Sequence, residues 1–325
     1  MLTALRGEKL PEALARAISR ETEGNPFFVQ EIVRHLIEEG VLSPDGAGWT
    51  SRSRLEEIGL PESVRDVIGR RLSRLSEECT KLLTVASVLG REFALDALGR
   101  AADLEQERLL EVLDEALTAR VVEESPQAVG RYRFSHALVR ESLYEELGTL
   151  DRFRNHLRIA ETLEALYARN PEPHLAELAH HFRQALPGGD VGKAIDYAMR
   201  AGDHAAGQLA YEEAAIHFER ALQALELRSD ADEKLRCELL LKHGEACWGA
   251  GLDTTRSLKE AADLAEHLGD AETLARAALG CGGNQTTLYV KVGEPLLCSI
   301  LVRALRALDE RDSALRARVT GRLST

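Results

Sequence analysis

The sequence predicts a mostly α protein, with small β-hairpins in its first half and a long run of paired helices after them. Three observations predict this. Of the 325 residues, 44% are hydrophobic but only 5% aromatic, and Ala, Leu, Glu and Arg recur throughout, a composition that favours helix. Apolar residues return every three or four positions in most segments, and strand-like alternation is confined to the neighbourhoods of residues 41–51 and 121–134. An all-β architecture does not fit.

Residues 1–75 read as a small helical unit. Leu10, Leu14, Ala17 and Ile18 share a helical face that ends at the turn ETEGN. Asn25 then caps a helix whose first position is Pro26, with Phe28, Ile32 and Leu36 on one stripe and Gly40 beyond its end. Val41 to Ser43 and Trp49 to Ser51 flank PDGAG and predict a hairpin, and Pro61 opens a helix with Val64, Ile68, Leu72 and Leu75 in register.

Residues 76–150 read as a second domain. Ser76 followed by Glu77 and Glu78 is a helix start, because carboxylates suit the positive end of the helix dipole. Cys79, Leu82, Leu83, Ala86 and Leu89 line the first helix; a short helix follows from Phe93 to Ala101, and Leu109, Leu110, Leu113 and Leu117 define a third. Val121 and Val122, then Tyr132 and Phe134 alternating with Arg131 and Arg133, predict a β-hairpin before a helix from His136 to about Leu147. Three helices and a hairpin in this order predict a winged-helix domain.

Residues 151–325 are helical in pattern, with turns at NPEP, PGGD, SDAD, GAGLD and CGGN. Ala201, Gly202, Tyr211, Ala214, Phe218 and Ala221 follow the small and large positions of a tetratricopeptide helix pair, and a weaker copy runs through Gly244, Cys247, Gly251, Ala261 and Leu264, with Gly280 in a third. This predicts a TPR-like α-α superhelix. Its last helix, read from Leu301 to Leu323, carries six arginines that fit a solvated face or an acidic partner, and the array stops without a capping unit.

Charge and motifs then bound the function. With 54 acidic against 41 basic side chains the chain carries a formal charge of −13 and as a whole repels phosphate backbones and anionic lipid. The third helix of the predicted winged helix holds Asp103, Glu105, Glu107, Glu111, Asp114 and Glu115 against Arg108, which opposes direct DNA reading. Five cysteines without a CxxC pair fit a reducing cytoplasm, and neither a membrane span nor a signal peptide is read. PGGDVGKA at 187–194 lacks the first glycine and the Ser or Thr of a phosphate-binding loop, so it reads as a turn between helices. His174, Glu177, His180 and His181 lie together but without an i, i+4 histidine pair, so packed or capping histidines are expected and no metal site is assigned. No catalytic constellation is visible.

EGNPFFVQEIVRHL (23–36), LPESVRDVIGRRLSRL (60–75), LLTVASVLGREF (82–93) and YRFSHALVRESLYEEL (132–147) together resemble the region after the ATPase core of STAND-class signalling ATPases, which occur beside LuxR-type DNA-binding domains or nucleotidyl cyclase domains. The resemblance covers essentially the whole chain and loosens beyond about residue 225. It implies that 1–75 is a helical lid remnant of an AAA/STAND ATPase, 76–150 a winged-helix domain and 151–325 TPR-like repeats, incomplete at the C-terminus. It implies a regulatory and sensor role, with a protein or effector on the repeats and ATP or ADP bound only together with an upstream core; Walker A and Walker B motifs are missing here, so the chain is not expected to be an enzyme. Gly24, Asn25 and Pro26 match the family's GxP turn against adenine, although an ordinary capped helix entry explains the same residues. His136 matches the histidine of the MHD motif in related NB-ARC proteins, with Ser135 in place of Met and Ala137 in place of Asp, and a helix cap is the other reading. Two other functions remain open at this stage: a transcription regulator binding DNA directly, and a free-standing TPR-like scaffold.

Overall fold

The computed structural model describes residues 72–126, 128–186, 188–228, 232–281, 295–309, 311 and 313–324, and before them residues 29, 33, 42–45, 48–51, 68 and 69. The chain divides into two compact units, Met1–Gly148 and Thr149–Thr325. The helix from Leu10, the Asn25 cap and the Phe28 stripe lie outside the described residues; Val29 and Val33 are helical and buried.

In the first unit β1 (Leu42–Asp45) and β2 (Gly48–Ser51) form an antiparallel hairpin from Leu42↔Ser51 to Asp45↔Gly48. Helix α1 (Glu77–Leu89) begins where the Ser76 hydroxyl accepts from the Cys79 N–H at 3.1 Å, with Glu77 and Glu78 in its first turn. Its Cys79, Leu82, Leu83 and Ala86 share one core with Ile68 and Leu72.

The helix read from Phe93 is corrected by two residues. Glu92–Ala94 is a strand, β3, and helix α2 (Leu95–Ala102) starts after it. The open edge of the hairpin is the cause: Phe134 N–H donates to Arg91 O at 3.0 Å, Leu95 N–H donates to Gly130 O at 3.0 Å, and the Phe93 ring meets Phe134 with centroids 5.7 Å apart. Helix α3 (Gln106–Thr118) buries Leu109, Val112, Leu113 and Ala116, so the stripe is turned from the predicted one and Leu110 is exposed. Strands β4 (Val122–Glu124) and β5 (Arg131–Phe134) complete a three-stranded antiparallel sheet in the order β3-β5-β4. Arg131 and Arg133 pair along it with Glu92 and Glu123 at 3.0 and 2.7 Å. Helix α4 (Ala137–Glu146) returns over α1, burying Val139 and Leu143, and Arg140 Nε donates to Ser87 O at 2.8 Å.

The second unit is a series of helices, each packed on the next: α5 (Thr149–Leu166), α6 (Leu175–Gln184), α7 (Val191–Gly207), α8 (Tyr211–Leu225), α9 (Glu233–Ala250), α10 (Thr255–Leu268), α11 (Ala271–Gly280), α12 (Pro295–Ala307) and α13 (Ala314–Leu323). Asp190, Asp232, Asp270 and Ser313 each cap the following helix by accepting from the N–H three residues on. Gly251 and Gly269, both at φ 71°, end α9 and α10 in the left-handed conformation glycine favours. Close approach is set by glycine facing a large side chain. A Cβ on Gly202 would lie 2.6 Å from a Phe218 ring carbon, one on Gly249 2.5 Å from the Tyr211 ring, and one on Gly280 2.6 Å from Leu258, which also fills the space over Gly244.

The single helix read from Leu301 to Leu323 is two. The capping serine at 313 opens α13, and Arg316 Nη1 reaches back to the carbonyls of Leu305, Leu308 and Asp309 at 3.1, 3.3 and 3.2 Å, closing the end of α12. Arg303 pairs with Asp263 and Glu266 of α10. Both arginines thus meet groups of their own chain.

Two predictions follow from this packing. Gly202→Ala should destabilise the second unit by about 1–3 kcal/mol despite alanine's better helix propensity, whereas Gly207→Ala, with nothing within 4 Å of the new methyl, should be neutral or stabilising by up to about 1 kcal/mol. Urea unfolding of the two variants checks the opposite signs. The second concerns His217 and His243. Burial lowers both pKa values, with Arg220 adding to the effect on His217, while Glu213, 3.7 Å from His217, and Glu219 near His243 oppose it. His243 Nδ1 also lies 2.9 Å from Ser257 Oγ. A histidine lowered in the folded state takes up its proton in the unfolded chain first, so its contribution is intact above about pH 6.5 and declines below, by at most about 1.4 kcal/mol per pH unit. The urea midpoint should therefore fall between about pH 7.5 and about pH 5.5; a level midpoint contradicts it.

Candidate functional site

The second unit carries a trough built from α7, α8, α9, α10, α11 and α13. Two adjoining depressions, of about 540 and 570 Å³, share Tyr211, Glu245 and Arg276. Their order follows from the helix pairing: the first lies over α7, α8 and α9, where Ala206, Phe218, Leu241 and Ala246 supply an apolar floor, and the second runs on to Leu279, Gly280, Leu315 and Arg318. As a large residue of the tetratricopeptide pattern, Tyr211 is expected in the packing between helices. It sits instead half-buried at the junction, its ring pressed on Gly249, so the missing side chain at Gly249 is what brings an aromatic surface to the trough.

The rim is charged, and several of its charges pair with one another. Lys242 Nζ is 2.5 Å from Asp203 Oδ1, 3.8 Å from Glu238, and 5.8 Å from the centre of the Phe218 ring. Arg276 holds both oxygens of Glu245 through Nη2 at 2.8 and 2.9 Å, a two-point contact between α11 and α9. Asp270 accepts from Thr273 N–H and Oγ1–H at 3.0 and 2.7 Å, bonds that hold its carboxyl below the usual carboxylate range. Trp248, exposed beside Tyr211 in the second depression, adds a flat apolar surface with an N–H at its edge. Aromatic floor, paired charges and helical walls suit an extended or helical peptide segment. Trp248, Lys242 and Arg276 carry no signal in the sequence that singles them out.

Of the residues expected at a nucleotide, His136 lies among the described residues. Gly24, Asn25 and Pro26 lie outside the described residues. His136 is the N-cap of α4: its Nδ1 accepts from the Leu138 N–H at 3.2 Å, while Ser135 N–H donates to Val121 O at 3.0 Å and fixes the turn to the sheet. Arg108, the single base of α3, is held by Glu78 and Glu111, and Glu115 accepts from the Ser76 N–H at 2.5 Å and from its hydroxyl at 2.7 Å. In the 187–194 turn Asp190 caps α7, and Lys193 Nζ meets Glu164 at 2.6 Å, so this lysine serves helix packing. His174 stacks on Tyr167 with ring centres 3.4 Å apart, whereas His180 and His181 turn toward His156 of α5. All five cysteines are free thiols.

No family model matches the chain. A stretch of 110 residues, 33% of the chain, is 26% identical to the hybrid signal transduction histidine kinase G of Dictyostelium discoideum, and the match spans only 3% of that protein's length. Among solved structures, a Signal Transduction ATPase with Numerous Domains (STAND) protein with a tetratricopeptide repeat sensor from Pyrococcus horikoshii aligns over 99% of this chain and 48% of its own, at 16% identity and a TM-score of 0.36. Among the described residues no helix is long and apolar enough to cross a membrane.

The cap at His136 can be tested on the chain alone. His136→Ala should cost about 0.5–2 kcal/mol of stability, while His136→Asn, whose side-chain oxygen can accept the same N–H, should retain most of it. Equal thermal unfolding of the two variants contradicts the capping role.

Proposed function

We propose that this chain is the regulatory and sensor portion of a STAND-type signalling ATPase, taking a protein or effector in the trough of its second unit and coupling that event to an ATP/ADP switch supplied by an upstream core. The observation that carries the reading is the trough itself. It joins an aromatic floor of Tyr211 and Trp248 to charges that can exchange partners, on helices spaced by glycine. The partial relative with signal transduction in its name supports the signalling context. ATP or ADP belongs to the assembled polypeptide, where Gly24, Asn25, Pro26 and His136 face the nucleotide and a separate output domain, such as a LuxR-type or cyclase-type one, carries the signal on; this chain by itself is a non-catalytic binding protein of the cytoplasm.

Direct DNA binding through the first unit is the weaker reading. Arg108 is committed to two glutamates, so α3 offers a phosphate backbone an acidic face. A free-standing helical scaffold would use the same trough without a switch.

The switch is tested in a polypeptide extended upstream of Met1 through its ATPase core. His136→Ala is expected to weaken ADP retention in that polypeptide, and His136→Asn, which keeps the cap, is expected to weaken it equally. ADP affinity unchanged in both removes the nucleotide role; loss only in His136→Ala assigns the histidine to the fold. Absence of a GxxxxGK[ST] segment in the preceding reading frame favours the scaffold.

A further inference from the structure

We infer that His156, His180 and His181 form a binding site for a late first-row divalent metal ion, Zn2+ foremost, which ties α5 to α6. This site is independent of the proposed function. One ring nitrogen from each residue lies within 4.8 Å of the other two. His156 comes from the middle of α5 and the other two from neighbouring positions on α6, so the group arises from the helix crossing and has no sequence motif. The His156 ring centre is 5.7 Å from that of His180 and 5.1 Å from that of His181.

The interior half of the site is already close to a ligand pair. His156 and His181, 2% and 1% exposed, bring their Nδ1 atoms to 2.9 Å. Without an ion, one ring must donate its proton to the other. A tetrahedral ion with bonds of about 2.0–2.1 Å sets its nitrogen ligands about 3.4 Å apart, so the pair would open by roughly half an ångström as the ion replaces the shared proton. His180 is exposed at the rim, its ring centre 5.7 Å from that of His156 and 5.2 Å from that of His181. Three imidazoles without a carboxylate select zinc, copper or nickel over magnesium and calcium. The fourth position opens on the exposed His180 side, where water would complete the shell.

The test uses the full chain, freed of metal with a chelator and titrated with Co2+, whose visible d–d absorption reports four-coordination. Saturation at one equivalent, displacement by Zn2+, and a rise in melting temperature that grows with Zn2+ concentration are expected. His180→Ala, which removes only an exposed ring, should weaken Co2+ binding by at least about tenfold, and His156→Gln should abolish the band. Absence of saturable Co2+ absorption in the wild-type chain overturns the site, leaving His156 and His181 as a hydrogen-bonded pair. So does binding that is unchanged in His180→Ala, or a thiolate charge-transfer band, which would place the ion on the cysteines.

Discussion

The second unit depends on one steric exchange repeated along it: glycine on one helix admits a large side chain from another. Phe218 fills the place of a side chain at Gly202, Tyr211 that at Gly249, and Leu258 closes over both Gly244 and Gly280. Helices that meet at bare backbone approach more closely than a leucine seam would allow, and the ridges on either side then interlock. Everything else in the unit is compatible with that spacing. Aspartate caps start the helices, left-handed glycines stop two of them, and alanine fills α10 and α11, where Ala261, Ala262, Ala265, Ala275, Ala277 and Ala278 are wholly buried.

The same exchange explains what could be read from the sequence. Gly202 with Phe218 was legible because the small and large residues stand at the spacing of one helix pair. Leu258 between two glycines was not, because its partners lie on α9 and α11, on either side of its own helix. The start of α1 was legible because the capping Ser76 and two carboxylates precede the apolar run, whereas Ser313 caps α13 within a stretch that reads as one helix. The opening of α2 was misplaced because Phe93 belongs to a periodic apolar pattern and yet is claimed by the edge of β5, a non-local pairing that local propensity cannot register. The division between α12 and α13 was missed because arginine periodicity continues through the break, and the function of Arg316 becomes evident only from the carbonyls it reaches.

Site residues were legible to a different degree. His136 was assigned two roles from its position, and its ring geometry realises the cap directly. The histidines of α6 looked unpromising by themselves, since adjacent positions on a helix diverge by about 100°. A third histidine on α5 changes the geometry, and nothing in local spacing announces a partner 25 residues away. The trough had still less signal, because its members are scattered over six helices and most are ordinary surface residues in any one of them.

Two of the trough's cations arrive with partners in place: Arg276 with Glu245, Lys242 with Asp203. To reach either of these two, an incoming carboxylate would have to displace a glutamate or aspartate that the protein itself supplies. Such a swap conserves the number of ion pairs and so adds little net binding energy, which leaves tightness to the contact area offered by Tyr211 and Trp248. Charge would then act as a filter on who can dock, and a guest lacking a group to trade would strand the displaced acid without compensation.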